Sequence, residues 1–338
     1  MNKKWIAGVL LGAMVTLAGC GAGGNANNGS ASAEKSDKLQ VGVIQLASHV
    51  ALDQAHKGFE DGLAANGLEI GKDVEIDFQN AQGDQSNLDT ITKKFASDKK
   101  DLVCAIATPA AVQMASASKE IPIVGTAITD YEAAKLVKSN EKPEGNVTGT
   151  SDMNPIAEQV ALIKKMVPDV KTVGMIYSSA EENSRIQSEL FTAECKKAGI
   201  EVESTTVSNV NEIQQAATNL VGKKLDAVYV PTDNLLSTAI ANLCGITNAK
   251  KLPVFVGEVG ELNGGGLATV SVDYYELGKQ AGAMAAKILK GEAKPADMPV
   301  EMPAVTATAV NKIAVDAIGL EVPSDLKDFV KEYKPEKK

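Results

Sequence analysis

From Leu39 onward, short apolar runs alternate with longer stretches in which apolar positions recur every three or four residues. The runs Leu39 to Leu46, Val74 to Phe78, Leu102 to Ala107, Ile121 to Gly125, Thr172 to Tyr177, Glu201 to Val207, Ala227 to Val230 and Pro253 to Val256 predict strands. Between them, Leu52, Ala55, Phe59 and Leu63 fall on one face of a helix, as do Ile156, Val160, Ile163 and Val167. Ile186, Leu190 and Ala193 predict the buried face of another, and Leu277, Ala281, Met284 and Ile288 that of one more. Strands separated by helices of this length imply parallel sheets with helices on both faces.

A loop rich in Pro143, Gly145 and Gly149 interrupts the alternation near residue 150, and Asn154-Pro155 opens a fresh set of βα units. The expected class is therefore α/β, with two doubly wound parallel-sheet lobes. Such sheets bind ligands outside the carboxyl ends of their strands, so two of them face to face make a cleft. Residues just after strands are the site candidates.

The first forty residues follow other rules. Lys3 and Lys4 precede an apolar stretch from Trp5 to Ala18 and then Leu17-Ala18-Gly19-Cys20, which reads as a secretory leader over residues 1–19 ending in a lipobox. The stretch is too short for an ordinary transmembrane span, and Cys20 would become a lipidated N-terminus. Residues 20–38 are rich in Gly, Asn, Ser and Ala and lack the apolar surface to order themselves, so they read as a tether.

The formal net charge is -9, and loss of Lys3 and Lys4 with a leader makes it more negative. A chain this acidic is a poor partner for nucleic acid or an anionic membrane surface. Contact with the membrane is expected through the lipid alone. Beyond Cys20 stand Cys104, Cys195 and Cys244, an odd number without CxxC spacing. A metal centre and a disulfide framework are both unexpected; Cys104 reads as a strand hydrophobe and the other two as helix residues, with a Cys195 to Cys244 bridge left open. No GxSxG, P-loop or HExxH pattern occurs, and no cofactor is expected.

Several blocks carry a resemblance. They are Val43-Ile44-Gln45-Leu46 with His49 and Ala51-Leu52-Asp53, Gln79 to Asp84, Ala107-Thr108-Pro109-Ala110-Ala111 and Asn146 to Gly149. Further on come Tyr177 with Glu182-Asn183-Ser184, Val230 to Asn234, and Val272 to Gly278. In these the chain resembles the ABC transporter substrate-binding proteins that include the tryptophan and phenylalanine receptors of Gram-positive bacteria. The resemblance implies a type I periplasmic-binding-protein fold in which the chain crosses between lobes three times. The lobes are then expected over 39–150 plus 273–300 and over 151–272 plus 301–330, with a charged tail at 331–338. Two departures, Val50 and Tyr131, stand where relatives carry proline; both are expected to border the cleft.

The chemistry of these positions suits a zwitterion. Thr108-Pro109 after a strand offers a helix N-terminus and a hydroxyl to an anion, or else a plain cap. Ala127 and Thr129, after the next strand, are expected to add donors to the same carboxylate, if the segment is more than an ordinary loop. In the second lobe the resemblance implies contacts from Asn183 and Ser184, while Glu181 and Glu182 suit the first turn of a helix. Asp233 and Asp273 are each either a helix cap or a counter-charge for a ligand ammonium. His49 is a candidate contact and His56 an exposed helix residue. Tyr131, Tyr177, Tyr274 and Tyr275 are expected near the cleft, where they could stack on an aromatic ring. The reading is a monomeric receptor for a small molecule, tryptophan or phenylalanine foremost, working with an ABC permease. A ligand-sensing lipoprotein, a receptor for a sugar and an extracytoplasmic hydrolase are the alternatives.

Overall fold

The computed structural model describes residues 38–303 and 306–334. The leader, Cys20 and nearly all of the expected tether lie outside the described residues. Lys38, placed at the end of that tether, instead reaches back to the first lobe, where Nζ donates to Gly71 O at 2.6 Å.

The first lobe begins with β1 (Leu39–Gln45), α1 (Val50–Ala65), β2 (Val74–Asn80) and α2 (Gln85–Asp98). It continues with β3 (Leu102–Ile106), α3 (Thr108–Ala117), β4 (Ile123–Ile128) and β5 (Val147–Ser151). The strands form one sheet in the order β2-β1-β3-β4-β5, every pair parallel. The chain then passes to a second sheet through α4 (Ile156–Met166), β6 (Thr172–Ser178), α5 (Glu182–Lys197) and β7 (Glu201–Val207). After these come α6 (Val210–Val221), β8 (Ala227–Val230), α7 (Asn234–Asn248), β9 (Val254–Val256) and β10 (Ala268–Val272). It returns to the first lobe as α8 (Tyr274–Leu289) and closes the second with β11 (Thr306–Asn311), α9 (Lys312–Ile318) and β12 (Val330–Lys331).

The second sheet runs β12-β11-β10-β9-β8-β6-β7 and is not wholly parallel, because β10 and β11 pair antiparallel. Geometry explains the exception. The parallel strands end at the cleft, so a chain that enters this lobe from the hinge must run the other way. The tail also differs from expectation: Lys331 pairs with Asn311 in β12, and Tyr333 packs on the core under α6 and α7.

Three crossovers link the lobes, and the first is tied to both others. Glu301 exchanges backbone bonds with Ser151 and Gly149, each 2.9 Å, and Val272 N donates to Asn154 Oδ1 at 3.3 Å.

Side-chain alternation fills the cores. Along β8, Val228 and Val230 face one side of the second sheet while Ala227 and Tyr229 face the other, and the two sets belong to separate apolar clusters. In the first lobe, α1 lies so close on α8 that a Cβ at Gly58 or Gly278 would overlap the facing backbone. Only glycine permits that approach, and it sets the N-terminal ends of α1 and α8 side by side at the cleft.

Two expectations fail here. Tyr131 is fully buried inside the first lobe; its hydroxyl donates to Thr150 O at 3.1 Å and lies over Gly125 and Gly149, where no side chain would fit. On α5 Ile186 is buried as expected, but it shares the buried face with Ser184, Gln187, Ser188, Phe191 and Cys195, whereas Leu190 is 41% exposed and Ala193 faces solvent. Cys104, Cys195 and Cys244 are buried free thiols, so the bridge left open does not form.

Candidate functional site

The carboxyl ends of both sheets meet at a narrow cleft between the lobes. The first lobe contributes His49 and Leu52 from the start of α1, Ala127 and Thr129 from the end of β4, and Tyr274 from the start of α8. The second contributes Asn183, Thr232, Asp233, Asn234, Ser237 and Glu258, and Asp152 rises from the first crossover. The lobes touch across it: His49 Nε2 lies 3.2 Å from Asn234 Oδ1, and Val50 faces Gly260.

On the first-lobe wall the backbone is strained. Ala107 (φ 87°) and Ala127 (φ 55°) occupy the left-handed region at the ends of adjacent strands, and β4 breaks register against β5 at the second of these. An alanine rarely adopts that conformation, and strain of this kind clusters at ligand sites. Beside them Thr108 is the first helical residue of α3, after an Ala107 cap that offers no side-chain bond. Its buried hydroxyl has no partner, so the plain-cap reading does not hold for it. Thr108 itself does not border the cavity.

The opposite wall is acidic. Asp233 caps α7, accepting from Leu236 N at 2.8 Å through one oxygen and from Ser178 N at 2.5 Å through the other. Behind it Glu181 accepts from Asn234 N (3.2 Å) and Leu235 N (2.9 Å), so two carboxylates share one helix N-terminus. At the floor, Asp152 accepts from Thr129 Oγ1 (3.0 Å) and Tyr274 OH (2.9 Å). Glu258 is pinned by Gly260 N at 2.5 Å, and behind it Glu261 accepts from Ser237 Oγ at 3.0 Å.

Among the described residues no lysine or arginine borders this cleft. Burial, helped by the charge of Glu181, pushes Asp233 up to about 7; burial, helped by Asp152, pushes Glu258 up to about 7. Burial and Glu258 raise Glu261 well above the carboxylate range, and burial raises Asp152. Burial also lowers His49, whose Nδ1 is left without a partner, as is Asn183 Oδ1. Among the described residues no three His, Cys, Asp or Glu side chains converge as metal ligands.

The structure thus brings His49, Ala127, Thr129, Asn183 and Asp233 together. Ser184 lies beneath them, buried and bonded to Asp233. Besides Thr108, two candidates fall elsewhere. Asp273 is exposed and caps α8 through Glu276 N at 3.1 Å. Tyr177 borders a groove on the outer side of the second lobe, beside Ser188, Thr192 and Lys196, because strand alternation turns it away from the cleft that Ser178 approaches. Of the other tyrosines only Tyr274 borders the cavity; Tyr275 donates to Asp61 on α1. Sequence reasoning missed Asp152, Thr232, Asn234, Ser237 and Glu258 as contacts, although Thr232, Asn234 and Glu258 all stand just past strand ends.

Two α/β lobes, three crossovers and a polar cleft closed between them define a two-lobed solute receptor of the type I periplasmic-binding-protein fold. The chain belongs to the ABC transporter substrate binding protein family, whose pattern matches residues 40–333. It is 40% identical over 316 residues to the tyrosine-binding protein of Clostridioides difficile, covering 94% of this chain and 91% of that one. A Streptococcus pneumoniae ABC domain solved in complex with L-Trp is 41% identical, with a TM-score of 0.84 over 87% of this chain and all of that one. The ligand-free, open structure of a Clostridium difficile substrate binding protein with adhesive properties is 40% identical, yet its TM-score is 0.68 over 88% of this chain and all of that one. At matched identity, the greater likeness to the liganded structure agrees with the lobe-to-lobe contacts seen here. The lobes are closed.

Proposed function

We propose that the protein is an extracytoplasmic receptor, lipid-anchored through Cys20, that closes on an aromatic L-amino acid and delivers it to an ABC importer. One observation carries the reading: Asp152, Asp233 and Glu258 line a closed cleft that no lysine or arginine among the described residues borders. A buried carboxylate stays ionised only beside a counter-charge, and an α-ammonium on the ligand supplies one.

The first-lobe wall supports the other half of a zwitterion. The strained backbone at Ala127, which borders the cavity beside the N-terminus of α3, suits a carboxylate. Leu52 and Tyr274 offer apolar surface to a ring. Relatives that bind tyrosine or were solved with L-Trp agree with an aromatic cargo. Delivery to a permease and the lipid anchor rest on the family and on the lipobox at Cys20; among the described residues no helix is long and apolar enough to cross a membrane. The family to which the chain belongs consists of substrate-binding proteins, which supports binding rather than turnover.

Calorimetry with L-tyrosine and with its two truncated analogues tests this reading. Tyramine lacks the carboxylate and 3-(4-hydroxyphenyl)propionate lacks the amine. Both should bind at least tenfold more weakly than the amino acid, with loss of the amine costing more. Equal binding of the amine-free analogue would refute the acidic ammonium site.

A further inference from the structure

Gln187 lies one turn beyond Asn183 on the buried face of α5, fully buried and outside the cavity. Its Oε1 accepts from Thr232 N at 3.3 Å, which turns the amide nitrogen toward the first lobe. There Nε2 donates to Thr232 Oγ1 and, across the cleft, to Thr129 Oγ1 at 3.1 Å. Thr129 in turn donates to Asp152 Oδ1 at 3.0 Å. An amide nitrogen only donates and a carboxylate only accepts, so the single Thr129 proton is committed to Asp152. A directed chain thus runs from the second lobe through the first to the hinge. Its Gln187 to Thr129 link exists only while the lobes are closed, since opening withdraws Thr129 from α5 and leaves the amide bonded to Thr232.

The geometry points to Gln187 as a positioning residue for capture: it does not touch the ligand but latches α5 to Thr129, prolonging closure and orienting the Thr129 hydroxyl on Asp152. The inference rests on the reading that the lobes close on a ligand, and it adds a residue to that reading that the cavity itself does not reveal. A buried amide at an inward helix position is otherwise hard to account for, because an apolar side chain of the same size would pack there without needing three partners.

The test uses the Gln187→Leu, Thr129→Val and double variants, with two readouts. In stopped-flow release of L-tyrosine, Gln187→Leu should dissociate roughly three- to tenfold faster, the range expected for one buried hydrogen bond, with association changed less than twofold. Adding Thr129→Val should then cost little more than Thr129→Val alone, because the two side chains act as one bond. The second readout needs no ligand. With Cys20 replaced by serine, dyes on Lys72→Cys and Lys224→Cys, exposed positions on the two lobes, report the closed-state dwell time by single-molecule energy transfer, since Cys104, Cys195 and Cys244 are buried. That dwell should shorten by the same factor with or without L-tyrosine. If Gln187→Leu does not fold, Gln187→Met carries the same expectation. Unchanged release and dwell times, strictly additive variants, or a wild type with no closed dwell under either condition would overturn the latch. Failure of L-tyrosine to bind the wild type, with normal ligand-free dwell effects, would count against the functional reading alone.

Discussion

Tyr274 donates its hydroxyl to Asp152 at 2.9 Å, tying the start of α8 to the first crossover at the floor of the cleft. The bond brings together residues 122 positions apart, and it orients a buried carboxylate whose other oxygen is held by Thr129. Tyr274→Phe should therefore weaken amino-acid binding. A hydrogen bond to a charged group contributes about 1.5–3 kcal/mol, so calorimetry should show a loss on the order of tenfold or more, and thermal stability should fall as well. Wild-type affinity in this variant would mean that Asp152 needs no orienting donor.

The acidic wall predicts opposite pH trends for stability and binding. Without ligand, Asp233 and Glu258 hold their protons to about 7, whereas unfolded carboxyls lose theirs near pH 4. Between those limits the folded state binds more protons than the unfolded state, so their contribution to stability is full at low pH and is lost as pH rises toward 7. An ammonium pairs only with the ionised form. Affinity should therefore rise with pH up to about 7, and binding should release protons. Calorimetry in buffers of different ionisation enthalpy measures that release; zero release at pH 6 to 7 would contradict the assignment.

Much of this was legible in the chain and some was not, for physical reasons. Apolar runs marked the strands β1 to β4 and β6 to β9, the rule that sites lie past strand ends located His49, Ala127, Thr129 and Asp233, and the family resemblance located Asn183. No apolar run marks β5, β10 or β11, which are built largely of small and polar residues, or β12, which is two residues long. In β5 the hydroxyls of Thr148 and Thr150 are buried yet satisfied, by Met298 O at 2.8 Å and Thr126 Oγ1 at 3.0 Å. The face of α5 departs from the pattern for a related reason: its inward side at Asn183, Ser184 and Gln187 lies by the cleft, while Leu190 points out. Tyr177 and Asp273 sit one position from true cleft elements, and a strand's alternation or a helix's cap decides such cases only in three dimensions.

Asp233 serves both the helix and the ligand, and the two roles can be separated. Asp233→Asn keeps a good cap for α7, since asparagine caps as well as aspartate does. It removes the charge beside Glu181. Because asparagine has one acceptor oxygen where Asp233 uses two, for Leu236 N and Ser178 N, apo stability should fall by about 1–3 kcal/mol, while binding should weaken by roughly 2–5 kcal/mol, as when one partner of a buried charge pair is lost. Denaturant unfolding and calorimetry on the same preparation report both. Unchanged affinity would reduce Asp233 to a cap and move the ammonium to Asp152 or Glu258.

The most direct test uses an accident of composition. The only tryptophan is Trp5, so a protein that begins at Cys20 contains none. Any tryptophan emission in a titration then comes from added L-tryptophan. Enclosure in the closed cleft should blue-shift that emission and quench the protein's tyrosine signal, saturably and at one ligand per chain, with L-tyrosine and L-phenylalanine competing. The same ligands should raise thermal stability, by about 2.7 kcal/mol at a hundredfold excess over Kd. Emission that stays at its aqueous wavelength, with no stabilisation by any of the three amino acids, would contradict capture of an aromatic amino acid between the lobes.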